Sequence, residues 1–201
     1  MFELHSLYEI ISFNYRTVFF LIITIGWFLE FLIPFSSKIN IKDGKTENRS
    51  FYLILIAIIF CILFTTLFRI LGFYNLASSS LIIAQWISNL LYLFGLLIRY
   101  WSLVLLGDYF TRNLKVEKGQ KLVEKGLYRY IRHPSYLGLL LLTLGVVGFI
   151  GNILGFATIP LILFPALRSR IEIEEKMMLE VLGEDYAKWR ENRYKLLPLI
   201  Y

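Results

Sequence analysis

Five apolar stretches, separated by polar segments, dominate the hydropathy pattern of this chain. Each predicts a helix that crosses a membrane. The predicted helices cover residues 17–35, 51–71, 81–106, 135–150 and 153–167. Because 57% of the residues are hydrophobic and the apolar stretches are nearly free of charge, a soluble domain is excluded. We expect an all-α integral membrane protein with about five transmembrane helices, forming a single membrane-embedded domain over residues 1–201.

The polar segments and the glycines add detail to this pattern. Residues 107–134 alternate apolar and polar side chains around Gly119, which predicts an extended, partly hairpin-like connector against the membrane face. Residues 168–182 predict a charged amphipathic helix that leaves the membrane, with Gly183 as its C-cap. A set of small residues predicts that the last two spanning helices pack closely as a hairpin. These residues are Gly138, Gly145, Gly148, Gly151 and Gly155.

Positive charge is concentrated in three of the polar segments. Residues 36–50, 107–134 and 168–201 hold 4, 7 and 7 of the 21 lysines and arginines. By the positive-inside rule, these segments face the cytoplasm and the N-terminus faces outward. The net charge of +6 therefore indicates membrane orientation and not a nucleic-acid partner. The single cysteine, Cys61, lies in an apolar stretch and predicts a buried thiol, with neither an intrachain disulfide nor a Cys/His metal site.

A basic, aromatic stretch opens the fourth predicted helix. Preceded by KLVEKG, it is Tyr128-Arg129-Tyr130-Ile131-Arg132-His133-Pro134-Ser135-Tyr136-Leu137-Gly138. Charge at the mouth of a membrane helix is costly unless it is paired or bound to a ligand. Its arginine, histidine and tyrosine side chains suit an anion or the polar head of a cofactor. The alternative is a basic cluster that anchors the helix to anionic lipid.

A second polar motif lies on the predicted amphipathic helix. It consists of Arg170, the paired Glu174 and Glu175, and then Gly183 and Tyr186. If this segment is helical, Arg170 and Glu174 share one face because they are four residues apart. The alternative for these residues is an ordinary solvated face of mixed charges, in which an ion pair contributes little.

Together the two motifs resemble the signatures of the isoprenylcysteine carboxyl methyltransferase family. The resemblance covers Gly107 to Pro198, whereas the first half of the chain shares only its hydrophobicity. It implies a protein-S-isoprenylcysteine O-methyltransferase-like enzyme that transfers a methyl group from S-adenosyl-L-methionine to the carboxylate of a prenylated cysteine or similar lipid-like acceptor. Residues 1–106 would then supply three spanning helices. Residues 107–201 would form the cofactor-binding catalytic half from the cytosolic connector and the C-terminal amphipathic helix.

The resemblance also implies roles for individual residues. Arg170 is expected to clamp the acceptor carboxylate, and Glu174 to act in catalysis and to bind the cofactor's ammonium group or a ribose hydroxyl. His133 and Tyr136 are expected to bind the cofactor's carboxylate, and Tyr186 to brace the site. The cofactor-binding set is Lys121, Leu122, Val123, Tyr128, His133, Pro134, Ser135, Tyr136 and Glu174. Gln120 stands where the family often has histidine, and Arg132 has no assigned role.

Three alternatives remain open on the sequence. A phospholipid amine or a small thiol could replace the prenylcysteine, and an amine would need a base such as Glu174, Glu175 or His133. A nicotinamide-dependent sterol reductase also ends in a basic, aromatic segment. A non-enzymatic membrane scaffold or transporter would use the isolated charges Glu30 and Arg99 to line a path.

Overall fold

Helices make up most of the computed structural model, which describes residues 15–28, 45–47, 49–109, 114–116 and 120–196. Five of these helices are apolar for much of their length. They are α1 at Tyr15–Phe28, α2 at Arg49–Ile70, α3 at Ser78–Leu106, α4 at Pro134–Ile150 and α5 at Ile153–Leu182. A short helix, α6, follows at Glu184–Arg190.

Three of the helices have the length and composition of membrane spans. These are α2, α3 and α5, with 22, 29 and 30 residues. The helices α1 and α4 are apolar but shorter, with 14 and 17 residues. The chain is therefore an integral membrane protein whose helices lie where the hydropathy pattern predicts them, while the count of five spans stays a prediction. Glu30 and the predicted end of the first helix fall outside the described residues.

The helices α3 and α4 pack with their backbones in contact. A Cβ atom added to Gly95 would lie 2.8 Å from the carbonyl oxygen of Gly138, and one added to Gly145 would lie 2.9 Å from the carbonyl oxygen of Ser88. Only glycine allows helices to approach this closely. The prediction that Gly138 and Gly145 join α4 to α5 is therefore wrong, because both residues face α3.

The three remaining glycines of the prediction lie close to other helices as well. A Cβ atom added to Gly148 would overlap the Ser88 side chain of α3 and would lie 3.4 Å from the ring of Phe156 on α5. A Cβ atom on Gly155 would lie 2.5 Å from Thr65 of α2, and one on Gly151 would lie 2.2 Å from Leu81 of α3. Gly151 also ends α4 in the left-handed conformation, with a φ of +76°. The turn between α4 and α5 therefore exists as predicted, but its glycines serve contacts with α2 and α3.

The helix α5 is continuous but changes its winding in the middle. Residues Ile159–Leu163 form a π-helical turn that contains Pro160. Proline has no N–H to donate, so a wider turn at this position keeps the chain helical without that hydrogen bond. The helix ends at Gly183, whose φ is +57° and whose N–H donates to the carbonyl oxygen of Leu179 at 3.0 Å. This confirms the predicted C-cap.

The connector between α3 and α4 differs from its prediction. Its residues Leu114–Val116 form a strand, β2, which pairs antiparallel with β1 at Lys45–Glu47 in the preceding polar segment. Two 3-10 turns, Gly107–Tyr109 and Gly126–Arg129, occur on either side of β2. The expected internal hairpin is therefore corrected to a pairing between two separate polar segments. Apart from this small sheet, the all-α prediction is confirmed.

The segment after α6 pairs with the start of α4. The N–H of Tyr194 donates to the carbonyl oxygen of Tyr130 at 2.9 Å. The N–H of Arg132 donates to the carbonyl oxygen of Tyr194 at 2.8 Å, and the N–H of His133 donates to the carbonyl oxygen of Lys195 at 3.2 Å. These bonds hold the basic, aromatic motif against the chain beyond α6. They lie at the same end of the bundle as β1 and β2.

Candidate active site

A cavity of about 400 Å³ lies where the two sequence motifs meet. One wall of this cavity is mostly polar and is formed by the connector, α3, α4, α5 and α6. The residues of this wall include Arg99, Gln120, Lys121, Leu122, Val123, Tyr128, Arg132, His133, Ser135, Tyr136, Arg170, Glu174 and Tyr186. Every predicted site residue except Pro134 therefore lines the cavity. Pro134 is buried as the first residue of α4, a position where its fixed φ and missing N–H suit the helix.

A carboxylate, a hydroxyl and a guanidinium meet on this polar wall. The Tyr136 hydroxyl donates to Glu174 Oε2 at 2.8 Å and accepts from Arg170 Nε at 3.0 Å. Arg170 and Glu174 share one face of α5, as their spacing predicts, and the tyrosine hydroxyl bridges them. This hydroxyl fixes the position of both charged groups relative to α4.

Arg170 is held from a second side by α2. Its Nη1 donates to Ser50 Oγ at 2.6 Å, and the arginine is only 3% exposed. A buried guanidinium is costly unless its donors have partners. Ser50 was not predicted as a site residue. It lies 120 residues from Arg170 in a polar segment, and no local motif marks it.

The second glutamate of the pair has different surroundings. Glu175 Oε1 lies 2.8 Å from Arg132 Nη1 and 3.2 Å from His133 Nε2, and its Oε2 lies 3.8 Å from Lys195 Nζ. The other ring nitrogen of His133, Nδ1, lies 3.8 Å from Glu174 Oε2. The paired glutamates therefore point to opposite sides of one imidazole, and Arg132 gains a role that the sequence had left open.

Two tyrosines of the cavity lie outside the membrane helices and stay neutral. Burial raises the pKa of Tyr128 above the ordinary value of a phenol, and the nearby Glu174 carboxylate raises it further. Burial also raises the pKa of Tyr186, with a further contribution from Glu175. Both side chains therefore present uncharged hydroxyls to the site.

The cavity also has an apolar wall, which sequence analysis missed. The helix α2 contributes four residues at positions i, i+3, i+4 and i+7, which form one face over two helical turns. They are Phe51, Ile54, Leu55 and Ile58, joined by Trp27, Leu106 and Leu139 from α1, α3 and α4. Leu55 is 40% exposed, so this wall reaches the outer surface of the bundle.

Two further contacts fix the edges of the polar wall. Arg99 Nη1 donates to Ser135 Oγ at 3.2 Å and to the Ser135 carbonyl oxygen at 3.4 Å. The indole N–H of Trp189 on α6 donates to the carbonyl oxygen of Val123 at 3.2 Å. Arg99 thus lines the same cavity as the predicted site residues. Among the described residues, no group of three or more His, Cys, Asp or Glu is placed to hold a metal ion.

Known proteins resemble this chain in sequence. Residues 86–180 match the family model described as "Isoprenylcysteine carboxyl methyltransferase (ICMT) family". The chain is 32% identical over 108 residues to the protein-S-isoprenylcysteine O-methyltransferase of Schizosaccharomyces pombe, a match that covers 53% of this chain and 46% of that protein. The match to the enzyme of the same name from Saccharomyces cerevisiae is 24% identical over 202 residues and covers 97% of this chain and 84% of that protein. The matched region thus spans about half the length of the first of these relatives.

A solved structure shares the fold. The solved structure of the eukaryotic intramembrane Ras methyltransferase ICMT superposes with a TM-score of 0.58 at 19% identity, covering 97% of this chain and 71% of that one. The likeness in fold therefore includes the first half of the chain, where the sequence had shown only shared hydrophobicity. The family match begins within α3, earlier than the resemblance carried by the two motifs, and it includes the Arg170, Glu174 and Glu175 cluster. These findings confirm the resemblance of this chain to the isoprenylcysteine carboxyl methyltransferase family.

Proposed function

We propose that this chain is a protein-S-isoprenylcysteine O-methyltransferase-like enzyme, a single domain over residues 1–201. It transfers a methyl group from S-adenosyl-L-methionine to the carboxylate of a prenylated cysteine or a similar lipid-like acceptor. The observation that carries the proposal is the buried guanidinium of Arg170, placed between Ser50 and Tyr136 on a cavity that also has an apolar wall. Such a cavity suits a molecule with an anionic head and a hydrocarbon tail. The names of the relatives support the same acceptor.

The guanidinium of Arg170 is the proposed clamp for the acceptor. A carboxyl group with an ordinary pKa of about 3–4 is already ionised at neutral pH, so it needs no general base. It needs a fixed orientation and the loss of its water shell. A guanidinium offers a planar fork of donors that matches a carboxylate, and Ser50 and Tyr136 fix the plane of this fork.

The polar wall fits the methyl donor. When bound, S-adenosyl-L-methionine supplies a methyl group on a positively charged sulfur. Glu174 places a carboxylate oxygen on the cavity, suited to an ammonium group or a ribose hydroxyl, while Tyr128 and Tyr136 add phenolic hydroxyls. Residues 121–123 form the edge of the cavity nearest to α6, and Trp189 holds their backbone in place. Pro134 supports this wall from within α4.

The apolar wall is the proposed place for the lipid tail. The face of α2 that carries Ile54, Leu55 and Ile58 begins one turn beyond Ser50, the partner of Arg170. An acceptor whose carboxylate is held by Arg170 can therefore lay its hydrocarbon along α2. Burial of each methylene in such an environment contributes about 0.8 kcal/mol to binding.

The test is a transfer assay with a labelled methyl donor and three acceptors presented in detergent micelles. They are a farnesylated N-acetylcysteine, a phospholipid amine and a free thiol. We expect the label to appear as a base-labile methyl ester on the prenylcysteine. Label on the amine or the thiol in preference to the prenylcysteine would contradict the proposed acceptor. If calorimetry also detected no binding of S-adenosylhomocysteine, the scaffold or transporter alternative would replace the enzyme.

A further inference from the structure

His133 lies between the two glutamates and contacts them unequally. Its Nε2 is within hydrogen-bond distance of Glu175 Oε1 at 3.2 Å, whereas its Nδ1 is 3.8 Å from Glu174 Oε2, beyond that distance. A neutral imidazole carries one N–H, and the nitrogen with the better acceptor keeps the proton. In a neutral ring, the unequal distances would therefore favour the proton on Nε2 and a lone pair on Nδ1.

His133 lies on a cavity wall that also carries charged and phenolic side chains. The charged side chains on or beside this wall are the carboxylates of Glu174 and Glu175 and the cations of Arg99, Arg132, Arg170 and Lys195. The phenolic side chains are Tyr128, Tyr136 and Tyr186. The histidine is 7% exposed.

Glu175 is itself held by cations from two other segments of the chain. Arg132 precedes the histidine, Lys195 belongs to the segment after α6, and Glu175 lies on α5. The backbone N–H of His133 donates to the carbonyl oxygen of Lys195, so the same segment holds both the ring and one cation beside its carboxylate partner. At 6% exposure, Glu175 is shielded from water that could replace these contacts.

We propose that Glu175 is a positioning residue that keeps the proton of His133 on Nε2 and its Nδ1 as a bare acceptor beside Glu174. A lone pair and a carboxylate oxygen 3.8 Å apart form a site for a cationic N–H donor, because both atoms accept hydrogen bonds. This step rests on the proposed methyltransferase function, in which the donor is the α-ammonium group of the cofactor. It reverses the expectation from the sequence that His133 binds the cofactor's carboxylate.

The protonation of the ring can be measured without any enzymatic activity. The chain has two histidines, so the substitution His5→Gln leaves His133 as the only imidazole among its 201 residues. In protein labelled with ¹⁵N-histidine, we expect NMR to show a protonated Nε2 and an unprotonated Nδ1. A proton on Nδ1, or on both nitrogens, would overturn the proposal.

Substitutions of Glu175 test its role in that protonation. In the same background, Glu175→Ala should give a mixture of the two tautomers. Glu175→Gln should largely restore the Nε2–H form because its amide oxygen can still accept a hydrogen bond. The matched control is Glu172→Ala, which removes a half-exposed carboxylate from the same helix and should leave the spectrum unchanged. An unchanged spectrum in Glu175→Ala would show that Glu175 does not set the tautomer.

Binding measurements separate positioning from general support of the fold. Glu175→Ala should weaken binding of S-adenosylhomocysteine by about tenfold, the effect of one misplaced hydrogen bond to a charged group, and Glu175→Gln by less. A deaminated analogue without the α-ammonium group should bind the wild type and Glu175→Ala equally. Equal losses for both ligands would overturn the proposal. Failure of the wild type to bind either ligand would instead reject the methyltransferase function, while the NMR result would still report on Glu175.

Discussion

Two arginines on α5 have contrasting surroundings, which makes them a matched pair for testing the carboxylate clamp. Arg170 is buried on the cavity wall, whereas the Arg168 side chain is 58% exposed and pairs with Glu172 at 2.8 Å. We expect Arg170→Ala to lower kcat for prenylcysteine methylation by at least about 100-fold, because the carboxylate is no longer oriented. Calorimetric affinity for S-adenosylhomocysteine should change little.

The control for this prediction is Arg168→Ala, which should retain nearly full activity because exposed ion pairs contribute little. Both variants also change the charge of α5 by one unit, so a general effect of charge would appear in each. Near-normal turnover in Arg170→Ala would show that another group orients the acceptor.

The hydroxyl of Tyr136 is a second test at the level of single residues. Tyr136→Phe keeps the ring, whose centroid lies 5.7 Å from that of His133, but removes the bridge between Arg170 and Glu174. We expect kcat/KM for the acceptor to fall by roughly tenfold, since two charged groups each lose a hydrogen bond. Steady-state kinetics would measure this, with Tyr130→Phe as the control because Tyr130 is 60% exposed. Equal activity in both variants would contradict a role for the bridge.

The sequence identified most of these residues but few of their partners. Arg170, Glu174, His133 and Tyr136 belong to motifs whose residue types and order are recognisable along the chain. Ser50 carries no such local signal, because its contact with Arg170 depends on how α2 packs against α5. No local signal marks the pairing of the basic, aromatic motif with the segment after α6 either, because this pairing forms only in the folded chain.

At the level of helices, the close contact between α3 and α4 holds the site together, because His133 is the N-cap of α4 and Pro134 and Ser135 are its first residues. Gly95→Ala would place a Cβ atom 2.7 Å from the backbone nitrogen of Leu142. We expect a destabilisation of about 1–3 kcal/mol, because neither backbone can move without separating the helices. A lower midpoint of thermal unfolding in detergent would show this.

A substitution on α1 provides the control for the helix contact. In Gly26→Ala, the added Cβ atom would lie 3.4 Å from the Leu96 Cδ2 atom, a flexible group that can shift. The unfolding midpoint should therefore stay close to that of the wild type. If Gly95→Ala were equally well tolerated, α3 and α4 would not be packed backbone to backbone.

Hydropathy located the helices, but it could not tell which of them meet. In a membrane, apolar side chains face both lipid and neighbouring helices, so the pattern of polar residues does not mark the buried face. The glycines of α4 were therefore assigned to a contact with α5, although they face α3. The antiparallel pairing of β1 with β2 was missed for a related reason, because each strand has only three residues and the partners lie in different polar segments.

Considered as a whole, the bundle has two ends of different character. One end carries the cavity, the paired strands and the segment after α6. At the other end, Asn152 Nδ2 donates to the Phe73 carbonyl oxygen at 2.6 Å and to Asn75 Oδ1 at 2.9 Å, and Asn152 Oδ1 accepts from the N–H of Leu154. Residues 71–80 contain no charged side chain, in contrast to the basic segments at the cavity end. This asymmetry predicts that the cavity faces the cytoplasm.

The predicted orientation can be tested with single cysteines, because the native Cys61 has no exposed surface and should not react. Phe73→Cys and Glu184→Cys each place a thiol at an exposed position, at opposite ends of the bundle. A membrane-impermeant maleimide should label Phe73→Cys in intact cells, but Glu184→Cys only after permeabilisation, with unlabelled wild type as the control. The reverse pattern would place the cavity on the outer side, where a methyl donor made in the cytosol could not reach it directly. Labelling of both thiols in intact cells would instead show that the positive-inside asymmetry does not set the orientation of this bundle.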